Sequence, residues 1–345
     1  MVSRVFYHER AALRSVKEKM RDETKPLGAE KDSELKTVPH SEQADTPATP
    51  TFSVAEQPSY VPTVFFGPDG LKPGWGLAFY VAMFYPLQFV AARWAGSLDL
   101  DPYGLWAMML EELGVLLAAV FPALILARVE RRRFGSYGVG GQMAFGKLFW
   151  LGMVWGFAGI TMLLVAMYGL RLFDFGNLAL HGGRVLKFAA FWAAFFLLVG
   201  FFEEFLFRGY AQFTLTRAIG FWPTAIFLAC AFGLTHMQNA GEQWRGLLAA
   251  AAIGFFFCLT LHRTGTLWFA IGFHAAWDWG ETFLYSVPDS GTLFPGHLLK
   301  SSFHGPNWLT GGVVGPEGSV LCFVVIGMLW ILFDRTYPEV RYKAG

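Results

Sequence analysis

Long apolar runs alternate with short polar breaks from about residue 71 to the C-terminal region. A run of about 20 residues is the length that a helix needs to cross the hydrocarbon core of a bilayer. The pattern predicts about eight membrane-spanning helices, near residues 74–95, 104–127, 147–170, 186–210, 221–239, 246–262, 266–286 and 318–333. We therefore expect an all-α polytopic membrane protein with a central four-helix core over about residues 186–290.

The first 70 residues have a different character. A basic start is followed by a run rich in Pro, Ser, Thr and Glu, which cannot bury enough apolar surface to fold. This contrast predicts two regions: a flexible cytoplasmic tail over residues 1–70 and a transmembrane domain over residues 71–345.

Composition supports a membrane location. Of the 345 residues, 54% are hydrophobic and 15% are charged, and the mean hydropathy is +0.40. These values are too apolar and too poor in charge for an ordinary soluble protein of this length. The net charge is +1, and we expect no nucleic-acid partner. The three cysteines lack CxxC spacing, so neither a disulfide framework nor a thiolate zinc site is indicated.

The distribution of basic residues between loops predicts the orientation, because Lys and Arg accumulate in cytoplasmic loops. One set of loops holds Arg128, Arg131, Arg132, Arg133, Lys147, Arg217, Arg263, Arg335, Arg341 and Lys343. The opposite set holds mainly Arg171, Arg184, Arg245 and Lys300. We expect an integral, multi-pass protein of the bacterial cytoplasmic membrane with both termini in the cytoplasm.

Three of the predicted helices carry ionisable residues within apolar sequence. Glu203 and Glu204 lie together in the fourth helix with Arg208 one turn on, the fifth contains His236, and the seventh contains His274 and Asp278. Such residues in membrane segments are rare, face a protein interior or a wet cavity, and are functional candidates by default.

The spacing of these ionisable residues predicts that they lie at the same depth and on shared helix faces. Residues four apart share a helix face, so Glu204 should meet Arg208, and His274 should meet Asp278. Glu203 precedes the predicted turn at 219–222 by about 16 residues and His236 follows it by about 15, so both lie about 24 Å from it. An antiparallel hairpin would place them level. Two adjacent carboxylates can then divide into a proton acceptor and an ion-paired anchor, which favours a hydrolytic site.

The same residues form three motifs in order. EEFLFR fits EExxxR, FGLTH fits FxxxH, and HAAWD fits HxxxN/D. In these motifs the chain resembles the CAAX protease and bacteriocin-processing (CPBP, or Abi) family of intramembrane glutamic endopeptidases, which includes the type II CaaX prenyl proteases. The resemblance covers about residues 186–290. It implies hydrolysis of a peptide bond in a membrane-associated protein or peptide, within the lipid bilayer, without a metal or another cofactor.

The resemblance also implies roles for the matching residues. Glu203 and His236 would activate the water, Glu204 and Arg208 would support them, and His274 with Asp278 would stabilise the oxyanion. The eukaryotic branch of the family usually has Asn at the last position. An ionised Asp278 cannot donate a hydrogen bond, so we expect it to orient His274.

Other interpretations remain open at this level. Glu203, His236 and His274 are suitable ligands for a zinc protease, although HExxH is absent. Buried Glu and His residues also occur in proton-coupled transporters, and the family resemblance allows an immunity or scaffold protein. A second acidic pair, Glu111 and Glu112, has no accompanying motif, and we expect it near the outer interface. The Gly- and Pro-rich loop at 287–317 should be irregular and lie outside the membrane or line a cavity.

Overall fold

The computed structural model describes residues 64–68, 70–98, 100–101, 104–239 and 241–343. Nearly all of the predicted cytoplasmic tail, residues 1–70, lies outside the described residues, so its flexibility stays a prediction.

Helices dominate the described chain, and the predicted all-α polytopic membrane fold is confirmed. They are α1 Pro73–Ser97, α2 Leu105–Val129, α3 Lys147–Gly169, α4 Gly183–Arg208, α5 Tyr210–Ile219, α6 Phe221–Thr235, α7 Trp244–Thr264, α8 Trp268–Trp279, α9 Asn307–Thr310 and α10 Val320–Thr336. Each of the eight predicted spans coincides with one of these helices.

The helices differ in whether they are long enough to cross a bilayer. By length and composition α1, α2, α3 and α7 qualify, as does the 37-residue rod Gly183–Ile219 that α4 and α5 form together. The other three predicted spans correspond to α6, α8 and α10, with 15, 12 and 17 residues. Among the described residues, five helices are therefore long enough to cross a bilayer, and shorter helices complete the bundle.

The rod of α4 and α5 leads into the predicted hairpin. The break between α4 and α5 falls at Gly209, where a Cβ would lie 2.3 Å from the Phe205 carbonyl oxygen. Gly220 follows α5 with φ +83°, a left-handed conformation that glycine adopts without steric cost. The chain then reverses into α6, as the turn predicted at 219–222 required.

Helix α8 is packed closely against α3. A Cβ at Gly152 would lie 2.1 Å from the Phe269 carbonyl oxygen, and one at Gly156 would lie 2.1 Å from that of Phe273. From the α8 side, a Cβ at Gly272 would lie 2.2 Å from the Phe149 carbonyl oxygen. Small residues allow membrane helices to approach at this distance. The contact determines the position of α8 and of the polar residues that it carries.

Two short antiparallel pairs of strands complete the fold. β1, Phe66–Gly67, pairs with β2, Gly70–Leu71. β3, Phe173–Asp174, pairs with β4, Ser302–Phe303, and thereby fastens the long loop at 287–317 to the segment that follows α3.

Candidate active site

The imidazole of His274 lies among three carboxylates. Its Nδ1 is 3.1 Å from Glu204 Oε1, and its Nε2 is 3.6 Å from Glu203 Oε2 and 3.5 Å from Asp278 Oδ2. A carboxylate oxygen accepts hydrogen bonds, so Nδ1 carries the proton that it donates to Glu204. Helices α4 and α8 thus bring together residues that are 70 positions apart in the chain.

Arg208 is fully buried beside this group. Its Nη1 lies 3.3 Å from Glu204 Oε1, one helical turn away, and its guanidinium lies 4.4 Å from the centre of the Phe232 ring. Space for it exists because α7 has a glycine at this level: a Cβ at Gly254 would lie 2.2 Å from Arg208 Nη2. Glu204 therefore contacts both a buried guanidinium and the His274 ring.

His236 directly follows α6, as the first residue of the 3-10 turn His236–Gln238. Its Nδ1 donates to the Phe232 carbonyl oxygen at 2.8 Å, because a carbonyl oxygen can only accept. In the neutral ring this leaves Nε2 as the basic nitrogen. His236 interacts electrostatically with Glu203 and with His274. The helices α4, α6 and α8 thus contribute to one polar cluster.

A cavity of about 580 Å³ lies next to this cluster, and Glu203, His236, His274 and Asp278 all line it. Its apolar wall includes Phe195, Phe196, Val199, Phe257 and Phe273. The loop at 287–317 forms a further part of the wall, including Asp289 and Phe294. The loop therefore lines a cavity, one of the two positions expected for it.

Sequence reasoning missed a second acidic contribution to the cavity. Glu111 and Glu112 of α2 are both buried and both line the cavity wall. The sequence indicates a position near the outer interface for this pair and no part in the site. Their occurrence as an adjacent pair within an apolar run was the available signal, but helix periodicity alone does not reveal which neighbour covers that face.

The loop side of the cavity holds acids outside the membrane-spanning helices. Burial, together with the neighbouring Asp289 charge, raises the pKa of Glu317 to about 7. Burial also raises the pKa of Glu242. The local environment thus shifts the ionisation of both carboxyls towards higher pH.

Within the described part of the chain, one group of acids has ligand atoms spaced closely enough to share a metal ion. It consists of Glu281, Asp289 and Glu317. The zinc ligands considered from the sequence, Glu203, His236 and His274, do not form such a group among the described residues.

Comparison with known proteins finds a family similarity over part of the chain. Residues 185–280 match the family described as type II CAAX prenyl endopeptidase Rce1-like. The matched segment contains all three motifs, so the resemblance to the CAAX protease and bacteriocin-processing family is confirmed there. The family that this segment resembles consists of peptidases. No curated protein and no solved structure matches the chain.

Proposed function

We propose that this chain, of which residues 185–280 match a CAAX prenyl endopeptidase family, is a glutamic intramembrane endopeptidase. The proposed reaction is hydrolysis of a peptide bond in a membrane-associated protein or peptide. The observation that carries the proposal is the position of His274, whose ring contacts Glu203, Glu204 and Asp278 at the edge of a cavity.

In the proposed mechanism, Glu203 and His236 activate the water. Glu203 accepts a proton from the water while the hydroxide attacks the peptide carbonyl carbon. His236 is suited to assist because its Nδ1 is engaged by the Phe232 carbonyl, which leaves Nε2 as the proton acceptor. When the tetrahedral intermediate collapses, the proton passes to the leaving nitrogen, and the products are a carboxylate and an amine.

His274 would stabilise the oxyanion of that intermediate. Its Nδ1–H is held by Glu204, so the ring orientation is determined before substrate arrives. Its Nε2 faces Glu203 and Asp278, and in the proposed role this nitrogen is protonated and donates to the oxyanion. Glu204 then acts as the positioning residue for Nδ1, and Asp278 positions the opposite side of the ring.

Arg208 would stabilise the ionised form of Glu204, the residue that positions His274. A carboxylate buried as deeply as Glu204 requires a compensating charge, and Arg208 provides it at 3.3 Å. We assign Glu204 and Arg208 to this supporting pair, separate from the attack on the peptide bond. No metal takes part in the proposed reaction.

We also propose that both termini face the cytoplasm of a bacterial cytoplasmic membrane. Arg132 and Arg217 contact the same residue, Glu130, and Arg263 contacts Asp334, so basic loops from distant parts of the chain meet. Loops that gather Lys and Arg in this way are typically cytoplasmic. Single cysteines at Arg335 and Ser301, in a chain without its native cysteines, should be labelled by an impermeant maleimide from opposite sides. Labelling of both from the same side would contradict this topology.

The proposed activity is tested with purified protein in detergent and a library of peptides, both farnesylated and unmodified. Wild type should cleave at least one class, and Glu203→Gln should abolish cleavage while leaving the unfolding temperature within a few degrees. Glu339→Gln, the same change at an exposed site, serves as the matched control.

Two outcomes would contradict the proposal. Cleavage by Glu203→Gln at the wild-type rate would exclude Glu203 as the base. Loss of cleavage on chelation, restored by zinc alone, would favour the zinc mechanism instead.

A further inference from the structure

Three acidic side chains from separate segments converge beside the cavity. Glu281 lies in the π-helical turn Gly280–Tyr285 that continues α8, Asp289 lies in the loop that follows, and Glu317 lies in the 3-10 turn Pro316–Gly318 before α10. One carboxylate oxygen of each lies within 4.8 Å of the others. The proposed mechanism uses none of the three.

Glu281 is the most deeply buried of the three acids. Its side chain has no exposed surface, and within the described residues neither carboxylate oxygen has a hydrogen-bond partner. The Trp277 side chain contributes a weak interaction that falls short of hydrogen-bond geometry. A buried carboxylate without a partner is unfavourable, and two further acids facing it make it more so. A carboxyl in this position needs either a proton or a neighbouring cation.

The other two acids are held in position by neighbouring hydroxyls. Thr282 Oγ1 donates to Asp289 Oδ2 at 3.2 Å, and Ser290 Oγ donates to Glu317 Oε2 at 2.9 Å. Hydroxyl contacts of this kind orient a carboxylate, as the supporting residues around metal ligands do.

We propose that Glu281, Asp289 and Glu317 bind a hard divalent cation of the calcium or magnesium class. Ligand sets made only of oxygen select these ions, whereas zinc and copper favour nitrogen and sulfur ligands. The three ligands provide more negative charge than a divalent ion neutralises, so the bound site is compatible with one shared proton.

The bound cation would connect the long loop to the catalytic helix. Asp289 and Glu317 are near the two ends of the loop, and Glu281 continues from α8, which carries His274 and Asp278. Asp289 and Glu317 also line the cavity. The ion therefore has a structural role in the cavity wall, independent of the proposed peptide hydrolysis.

The test measures binding on the full chain in a maltoside detergent after removal of metals with EDTA. Mn²⁺ is titrated and followed by electron paramagnetic resonance, and Ca²⁺ and Mg²⁺ are then added as competitors. We expect one Mn²⁺ per chain in this site, displaced by Ca²⁺ or Mg²⁺, with a rise in unfolding temperature of several degrees. Glu281→Gln should weaken binding at least tenfold.

Matched variants distinguish cation binding at these three acids from binding at other acidic residues. Glu242→Gln changes an acid that also lines the cavity but is outside the group, and it should bind Mn²⁺ as wild type does. Glu203→Gln should also retain binding, so a failure of the proposed catalytic role leaves this result unaffected. Asp289→Asn and Glu317→Gln provide independent measurements if Glu281→Gln does not fold.

Three results would overturn the proposal. The first is a wild-type chain that binds none of the three ions at millimolar concentration, which would indicate acids neutralised by shared protons. The second is unchanged affinity in the Glu281, Asp289 and Glu317 variants. The third is binding of Zn²⁺ without competition from Ca²⁺ or Mg²⁺.

Discussion

At the scale of single residues, His274 makes the contacts that connect the two acidic helices. We predict that His274→Ala lowers kcat about 100-fold or more and changes KM little, because the lost donor acts on the developing oxyanion. Steady-state kinetics on the best peptide of the library provides the measurement.

His304→Ala is the matched control, since this histidine of the loop at 287–317 is exposed and pairs with Asp174 of β3. It should leave kcat within about twofold of wild type. A His274→Ala enzyme with a raised KM and an unchanged kcat would instead show that the ring serves only in substrate binding.

Arg208 supports the site through the charge of Glu204. We predict that Arg208→Met lowers the free energy of unfolding by about 3–5 kcal/mol, because it leaves a buried carboxylate without its guanidinium. Combining it with Glu204→Gln should recover part of that loss, since the uncompensated charge is then removed. Unfolding in detergent, followed by intrinsic fluorescence, measures both.

The exposed pair of Arg341 and Glu339 provides the comparison. Arg341→Met should cost about 1 kcal/mol or less, because water screens this ion pair. Equal losses for Arg208→Met and Arg341→Met would contradict the account of the buried pair.

At the scale of elements, the separation of α3 and α8 determines where His274 lies. A Cβ at Gly156 would lie 2.1 Å from the carbonyl oxygen of Phe273, the residue before His274. We predict that Gly156→Ala pushes α8 away from α3, lowers the unfolding temperature and reduces kcat at least tenfold, since small displacements of catalytic groups are costly. Activity and thermal unfolding of the same preparation provide the readout.

Gly327→Ala is the control for this change. Gly327 lies within α10, and a Cβ there would have nothing within 4 Å. Alanine should be neutral or stabilising there by up to about 1 kcal/mol, because it favours the helix. An active Gly156→Ala enzyme of wild-type stability would show that the helix contact can relax without moving His274.

At the scale of the whole molecule, the segment after α10 closes one end of the bundle. The backbone N–H groups of Arg341 and Tyr342 both donate to the His262 carbonyl oxygen at 3.1 Å. The Tyr342 ring packs against Phe213 and Phe221, with ring centres 4.8 and 4.7 Å apart. Residues from α5, α6 and α7 are thereby joined to the C-terminal segment.

This contact should make stability depend on pH in the alkaline range. Burial raises the pKa of Tyr342 from 10.0 to about 12, so folding favours the neutral phenol. The contribution is fully present below pH 10 and is lost as pH rises through about 12, to an extent of about 1–2 kcal/mol. Wild type and Tyr342→Phe should therefore have similar unfolding temperatures at pH 8. Above pH 10 the variant should have the higher unfolding temperature. Parallel pH profiles would contradict this.

Contacts within one helix were predictable because the helical repeat alone determines them. The pairs Glu204–Arg208 and His274–Asp278 follow from a spacing of four residues, and both are present. The hairpin at Gly220 followed from the polar break between two apolar runs. The eight helices followed in the same way, because apolar runs in a bilayer must satisfy their backbone hydrogen bonds internally.

Contacts between helices were not predictable to the same degree. The approach of His274 Nδ1 to Glu204 depends on the glycines that bring α8 against α3 and α4, and it involves residues 70 positions apart. The burial of Glu111 depends on which neighbour covers one face of α2. Neither has a local signature in the chain.

The amino-acid sequence by itself thus determined that this chain crosses a membrane, where its helices lie and which family its motifs resemble. These properties depend on local composition and on periodicity. The tertiary structure decided which carboxylate holds which imidazole nitrogen, and that a loop brings Asp289 and Glu317 to Glu281. These contacts join residues that are far apart in the sequence, and the packing of the whole bundle determines the distances between them.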